Sequence, residues 1–197
     1  MKKKICKLFI WIFVLCWLFL TSGCTPLKSN IVVGEWNDNI FTNAWSNVTF
    51  ELPSDYKVQP DSELGFVPGQ KTDFFLVRDD QTANISLIYV NLYYGSQQEL
   101  TAEEYLNIVK KQLAESKNKN YDFASDFESV VIAGEEYLVL RSTFSFKEAS
   151  TNGTYYQDGY ARKFDDSIIF FLANYSDDAK NSVASFLSSI TKTMMTI

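Results

Sequence analysis

The stretch SIIFFLANY, Ser167 to Tyr175, is apolar at every position from Ile168 to Ala173. Successive side chains of a strand point to opposite faces, so such a run is stable as a strand only where the sheet is covered on both sides. Its shortness, and the Asp165–Asp166 turn signal before it, favour strand over helix. The first expectation is therefore a sheet sandwiched between two layers.

Working outward, Ser176 is placed to cap a helix whose Ala179, Val183, Phe186, Leu187 and Ile190 fall on one stripe. Asp177 and Asp178 lie in its first turn, where the helix dipole favours them. On the other side, TNGTYYQDGYARKF reads as a strand returning from an Asn152–Gly153 turn. FESVVIAGEEYLVLRSTFSF reads as two strands joined at Ala133–Gly134–Glu135, the second with Leu138, Leu140, Phe144 and Phe146 on one face. A polar loop separates it from LTAEEYLNIVKKQLAES. There Thr101 and Glu104 have capping-box spacing, Leu100 and Tyr105 form a hydrophobic staple, and Tyr105, Leu106, Val109 and Leu113 make an apolar stripe. Further back, DFFLV (73–77) and NISLIYVNL (84–92) are strands around the turn RDDQTA, and IFT (40–42) and VTFEL (48–52) are two short strands, the second stopped by Pro53. Strand meanders interrupted by one helix and closed by another predict an α+β fold, a mainly antiparallel β-sheet flanked by helices.

The opposite end of the chain carries an address. Lys2, Lys3, Lys4 and Lys7 precede an unbroken apolar run from Leu8 to Leu20, followed by Thr21, Ser22, Gly23 and Cys24. That run is short of the ~20 residues a spanning helix needs and has the length of a secretory-signal core. The ending LTSGC resembles the lipobox of bacterial lipoproteins. The resemblance implies cleavage after residue 23, diacylglycerol on Cys24, and a place on the extracytoplasmic face of the bacterial cell membrane. The alternatives are an uncleaved anchor reaching Thr25 and an ordinary cleaved signal that leaves Cys24 free. Of the three cysteines, Cys6 and Cys16 fall inside the leader, leaving Cys24 without a disulfide partner. The expected organisation is a signal peptide (1–23), a tether (24–39) with Trp36 docking its end, and a single domain (40–197) that needs no disulfide at this size.

Four segments in order, IFTNAWSNVTFELPSDYKV, LTAEEYL, VVIAGEEYLVL and YARKFDDSIIFFLANY, resemble small Gram-positive lipoproteins with a PsbP/Mog1-like domain. In that pattern a Tyr/Phe-x-Asn segment, here Phe41 to Asn43, leads into an extended stretch ending Leu-Pro, with an aromatic soon after. Here the aromatic is Tyr56, where these proteins more often have Trp. The resemblance spans roughly Ile40 to Ile190 and implies an α/β/α sandwich and an accessory or binding role.

Composition excludes several chemistries. The chain has no histidine, which removes Ser–His and Cys–His nucleophilic machinery and His-ligated zinc. No glycine-rich phosphate loop occurs, and no calcium-loop spacing, so neither a cofactor nor a metal site is expected. A net charge of −6, more negative still beyond the leader, speaks against nucleic acid. The acidic pairs Asp79–Asp80, Glu103–Glu104, Glu135–Glu136, Asp165–Asp166 and Asp177–Asp178 read as turn and helix-start chemistry rather than a catalytic dyad.

Two groups are candidate contact residues. Tyr93, Tyr94, Tyr155, Tyr156 and Tyr160 lie near strand ends and suit sugar stacking or protein contact, against the plainer reading as core and cross-strand rings. Arg141 interrupts an apolar strand. Paired with Arg162 and Lys163 it would make a positive spot for a carboxylate, against the plainer reading as partners of nearby acids. The function expected is a membrane-anchored, non-enzymatic accessory or binding lipoprotein with an envelope protein partner or small ligand. The alternatives are a carboxylate-dependent envelope glycan hydrolase, which needs two facing carboxylates ~5–9.5 Å apart, and a structural assembly factor of an envelope complex.

Overall fold

A computed structural model describes residues 31–60, 69–93, 99–147 and 153–193. Residues 1–23, read above as a signal peptide, and Cys24, Tyr94 and Asn152 lie outside the described residues. Among those described, no helix is long and apolar enough to cross a membrane.

Among the described residues eleven strands and two helices follow one another: β1 Glu35–Asn37, β2 Ile40–Asn43, β3 Val48–Glu51, β4 Tyr56–Val58, β5 Gln70–Arg78, β6 Ala83–Asn91, α1 Ala102–Ala114, β7 Lys119–Phe123, β8 Glu128–Ile132, β9 Glu135–Phe146, β10 Tyr155–Phe164, β11 Ser167–Ser176 and, after a 3-10 turn at Asp177–Ala179, α2 Lys180–Ser189. The large sheet is antiparallel in the order β4-β5-β6-β11-β10-β9-β7, with β8 also pairing along β9. β11, the stretch that opened the sequence reading, lies between β6 and β10 in its middle. That position explains its two apolar faces. Ile169, Phe171 and Ala173 enter one core, while Ile168 and Phe170 enter the other.

α1 covers the second core as the crossover from β6 to the far edge of the sheet. Its N-terminus is closed by the capping box, with Glu104 N bonded to Thr101 Oγ1 at 3.2 Å and Thr101 N to Glu104 Oε2 at 2.8 Å. Tyr105 and Leu106 are its buried residues, packed with Phe170, Leu140 and Ala161. Gly159 on β10 permits this fit, because a Cβ there would stand 2.8 Å from the Phe170 ring.

The first core is closed by two elements together, α2 and a small sheet β1-β2-β3. Rings interlock across it: Phe50 lies 4.9 Å from Phe186 and 5.0 Å from Phe74, both edge-on, and Phe41 lies 5.1 Å from Phe74. Tyr56, the aromatic after Leu52-Pro53, is buried and stacks on Phe186. The chain after α2 returns to the small sheet, where Thr49 and Thr191 exchange backbone bonds of 2.9 and 2.8 Å. This outer layer is therefore part sheet and part helix.

Three strands escaped the sequence reading. β1 lies in the stretch read as tether, and Ile31, the first described residue, is already buried. Trp36 does dock there, 5.1 Å from Phe41. β4 and β7 are short edge strands, and β7 occupies part of the stretch read as a polar loop. The Ala133–Gly134 hairpin turn lies where expected, with both residues left-handed at φ 51° and 70°. Ser176 stands at the start of the 3-10 turn but makes no side-chain capping bond.

Candidate functional site

A cleft of ≈ 560 Å³ opens on the α2 side of the large sheet, between the first turn of the helix and strands β7, β9 and β10. Strand register sets its walls. Asp122, Thr143, Tyr156 and Tyr175 form one cross-strand row from β7 to β11, and Arg141, Asp158 and Ala173 form the next.

Asp158 is the floor. Its side chain is 2% exposed, and a carboxylate so enclosed requires donors. Arg141 Nη1 supplies one at 2.6 Å, Tyr175 Oη one at 2.8 Å and Tyr160 Oη one at 3.2 Å, all to Oδ2. Burial, and then the charge of Asp158, push the Tyr160 and Tyr175 hydroxyls well above the ordinary phenol range, so both remain donors. Arg141 also donates through Nε to Glu128 Oε2 at 2.7 Å. Burial works against its charge, but Glu128 and Asp158 more than offset it.

Tyr156 is a rigid ring on the cleft wall. It stacks on Tyr175 with centroids 5.2 Å apart and planes 10° from parallel. Its hydroxyl donates to Asp177 Oδ1 at 3.1 Å, and Lys180 Nζ lies 5.4 Å from its ring centroid.

The cleft gathers only part of the predicted set. Arg141 lines it, as do Tyr156 and Tyr160, but Arg162 does not. The positive spot expected from Arg141 with Arg162 and Lys163 does not form, because Asp158 is the partner of Arg141 in the register and Arg162 lies four residues further along β10. Arg162 instead meets Glu135 at 3.4 Å and lies over the Tyr137 and Phe164 rings. Tyr93 is 38% exposed beyond the end of β6, where its hydroxyl interacts with Asp166, at the other end of β10 from the cleft. Tyr94 lies outside the described residues. Tyr155 stacks on Phe144 as a cross-strand pair.

The acidic pairs lie on separate turns and element starts. Asp79 meets Lys57, Asp80 meets Arg78, Glu104 closes the capping box and Glu135 meets Lys192. Asp165 is a left-handed turn residue at φ 49°, and Asp177 begins the 3-10 turn. The sequence reading did not single out Asp158, Asp122 or Lys180. An aspartate between Gln157 and Gly159, in a strand without clean polar–apolar alternation, gives no local sign that its face is buried.

No protein-family model matches the chain, and no curated protein matches it in sequence. Among solved structures it is similar to the cyanobacterial PsbP, CyanoP, of Synechocystis sp. PCC 6803, with a TM-score of 0.53 and 14% identity over 87% of this chain and 98% of that one. LpqN of Mycobacterium tuberculosis, described as involved in cell envelope biogenesis, matches with a TM-score of 0.45 and 12% identity over 73% of this chain and 83% of that one. A Bacteroides thetaiotaomicron protein matches at 0.46 and 12% over 79% of this chain and 48% of its own length. At such identities likeness speaks to fold alone, and the PsbP comparison carries it. The chain has a PsbP-like α+β fold, with mainly antiparallel sheets and, among the described residues, two helices.

Proposed function

We propose that this chain is a non-enzymatic binding or accessory module, tethered outside the cell membrane by lipid on Cys24, which takes its ligand or partner in the Arg141–Tyr156 cleft. The cleft carries the reading: its one buried carboxylate is fixed by an arginine and two tyrosine hydroxyls, in a chain that has no histidine. A base meant to accept a proton is better left underdonated than tied by three donors. Groups held this firmly lose little freedom on meeting a ligand, which favours binding.

Expression in a Gram-positive host tests the anchor. The wild-type chain is expected in the detergent phase on partitioning, with an intact mass that lacks residues 1–23 and includes diacylglycerol. Cys24→Ala is expected in the aqueous phase or unprocessed. Retention of residues 1–23 by the wild type, or equal anchoring of the variant, overturns the lipoprotein reading. For the cleft, proximity labelling of the native protein is expected to lose specific neighbours in Tyr156→Ala. An unchanged profile overturns the cleft as the binding site.

A further inference from the structure

We infer that the cleft is a saccharide subsite, in which a neutral pyranose ring seats on the β9 side of the Tyr156 ring and its hydroxyls are read by Asp122, Thr143 and Arg141. This rests on the proposal that the cleft is the binding site, and adds the class of ligand.

Register places the platform. In the row Asp122–Thr143–Tyr156–Tyr175, Tyr175 stacks on the β11 side of Tyr156. On the β9 side stands Thr143, a small side chain, and beyond it Asp122 at the sheet edge. The ring is thus backed by Tyr175 on one side and faces the short Thr143 on the other, and the flexible end of Lys180, 5.4 Å from its centroid, is what a sugar ring displaces on seating there. Its hydroxyl donates to Asp177, which helps hold the ring in this orientation. A rigid, flat, apolar face beside polar groups is what the C–H face of a sugar needs, and little side-chain entropy is lost on contact.

Charge selects against ionic ligands of either sign. The charge of Arg141 is already met by Glu128 and Asp158 at 2.7 and 2.6 Å, and the chain as a whole carries −6, so an anion meets repulsion and a neutralised arginine, whose remaining N–H groups can still donate to a hydroxyl. A cation is drawn by the net charge and by Asp122, but at the Tyr156 ring it meets Arg141 and also Lys180, which already lies over that ring. A neutral polyol incurs neither penalty. The fixed guanidinium, carboxylate and hydroxyl groups offer both donors and acceptors to neighbouring hydroxyls. At ≈ 560 Å³ the cleft lies within the ~300–1,000 Å³ range of small-molecule sites, with room for more than one ring.

The test is saturation-transfer NMR and calorimetry on the detergent-solubilised full chain. The probes are maltotriose and chitotriose as neutral saccharides, glucuronate as an anion and glucosamine as a cation. At least one neutral trisaccharide is expected to bind. Tyr156→Ala should weaken it about tenfold or more, while Tyr156→Phe retains most of the affinity because the ring rather than the hydroxyl makes the contact. Thermal melting of both variants checks that the fold is kept. Tighter binding of glucuronate or glucosamine overturns the saccharide class and leaves the cleft reading standing. Saccharide binding that Tyr156→Ala leaves unchanged, or no binding by either neutral probe, also overturns the inference. The cleft reading itself falls only to the unchanged labelling profile described above.

Discussion

Two aspartates on the same face of the large sheet are enclosed in opposite ways. Asp73 is the extra residue at the β5 bulge between Thr72 and Phe74, and the small sheet closes over it. Its Oδ1 accepts from Gly34 N at 2.6 Å, while its Oδ2 takes Asn43 Nδ2 at 2.8 Å and the Tyr89 hydroxyl. Asn43 is the asparagine of the Phe-x-Asn segment. Its Oδ1 also accepts from Trp45 N and Ser46 N, at 2.8 and 3.0 Å, and so holds the β2–β3 turn. Burial pushes the Asp73 carboxyl above the usual carboxylate range, with the bonds from Tyr89, Gly34 and Asn43 drawing it back. Asp158 takes an arginine as well as neutral donors and lines an open cleft. A carboxylate met by neutral donors between two layers is a clasp. One met by a partly exposed cation beside a rigid ring is part of a surface that can meet something else.

That contrast can be broken most readily at Asp73. Asp73→Ala strands donors on three different segments, and hydrogen bonds to a charged group contribute about 1.5–3 kcal/mol each. We expect a loss of roughly 3 kcal/mol or more, seen as a fall in Tm of about 10 °C, with ligand binding kept below the new transition. A variant as stable as the wild type removes the clasp from the account.

Arg141 gives the next effect. Breaking a buried pair costs about 3–5 kcal/mol, and the 38% exposure of the Arg141 side chain lowers our expectation to roughly 2–4 kcal/mol for Arg141→Met. Adding Asp158→Leu should return part of this in urea denaturation, because no carboxylate is then left uncompensated. If the double variant is less stable than the single one, the pair is not coupled as described.

Lys119 sharpens the comparison with a third kind of enclosure. It is 7% exposed, and its Nζ lies 3.8 Å from the Phe144 centroid with Tyr121 and Phe146 nearby; no carboxylate pairs with it among the described residues. Burial pulls its pKa down to about 8, while the ring faces favour the ammonium. Between about pH 8 and the ordinary lysine value the unfolded chain binds more protons than the folded one, so stability rises with pH across that window. It is lost again as pH falls through about 8. Lys119→Met should flatten this slope and be more stable at pH 7 by roughly 1–3 kcal/mol. Urea midpoints at pH 7, 8.5 and 10 measure both effects, and an equal slope in the two proteins would show that the rings fully compensate the burial.

Legibility in the sequence followed the range of the interactions. α1 was readable from its capping box and stripe, both local, and the Ala133–Gly134 hairpin from its turn residues. β1, β4 and β7 were not, since edge strands of three to five residues carry too little periodicity to stand out. In the site, Arg141 and the tyrosines were visible as residue types. Their grouping was not, because the separation of Arg141 from Arg162 depends on which residue faces which across β9 and β10.

By itself the sequence determined that β11 is covered on both faces, that the fold is α+β, and that no histidine is available for catalysis. Tertiary structure alone decided that β11 takes the centre of the sheet, that a bulge turns Asp73 into the interlayer clasp, and that Asp158 lies beneath Arg141. The reason is physical. Apolar periodicity and capping act within a few residues of chain, whereas register and bulges are set by the strand alongside, which comes from a distant part of the sequence.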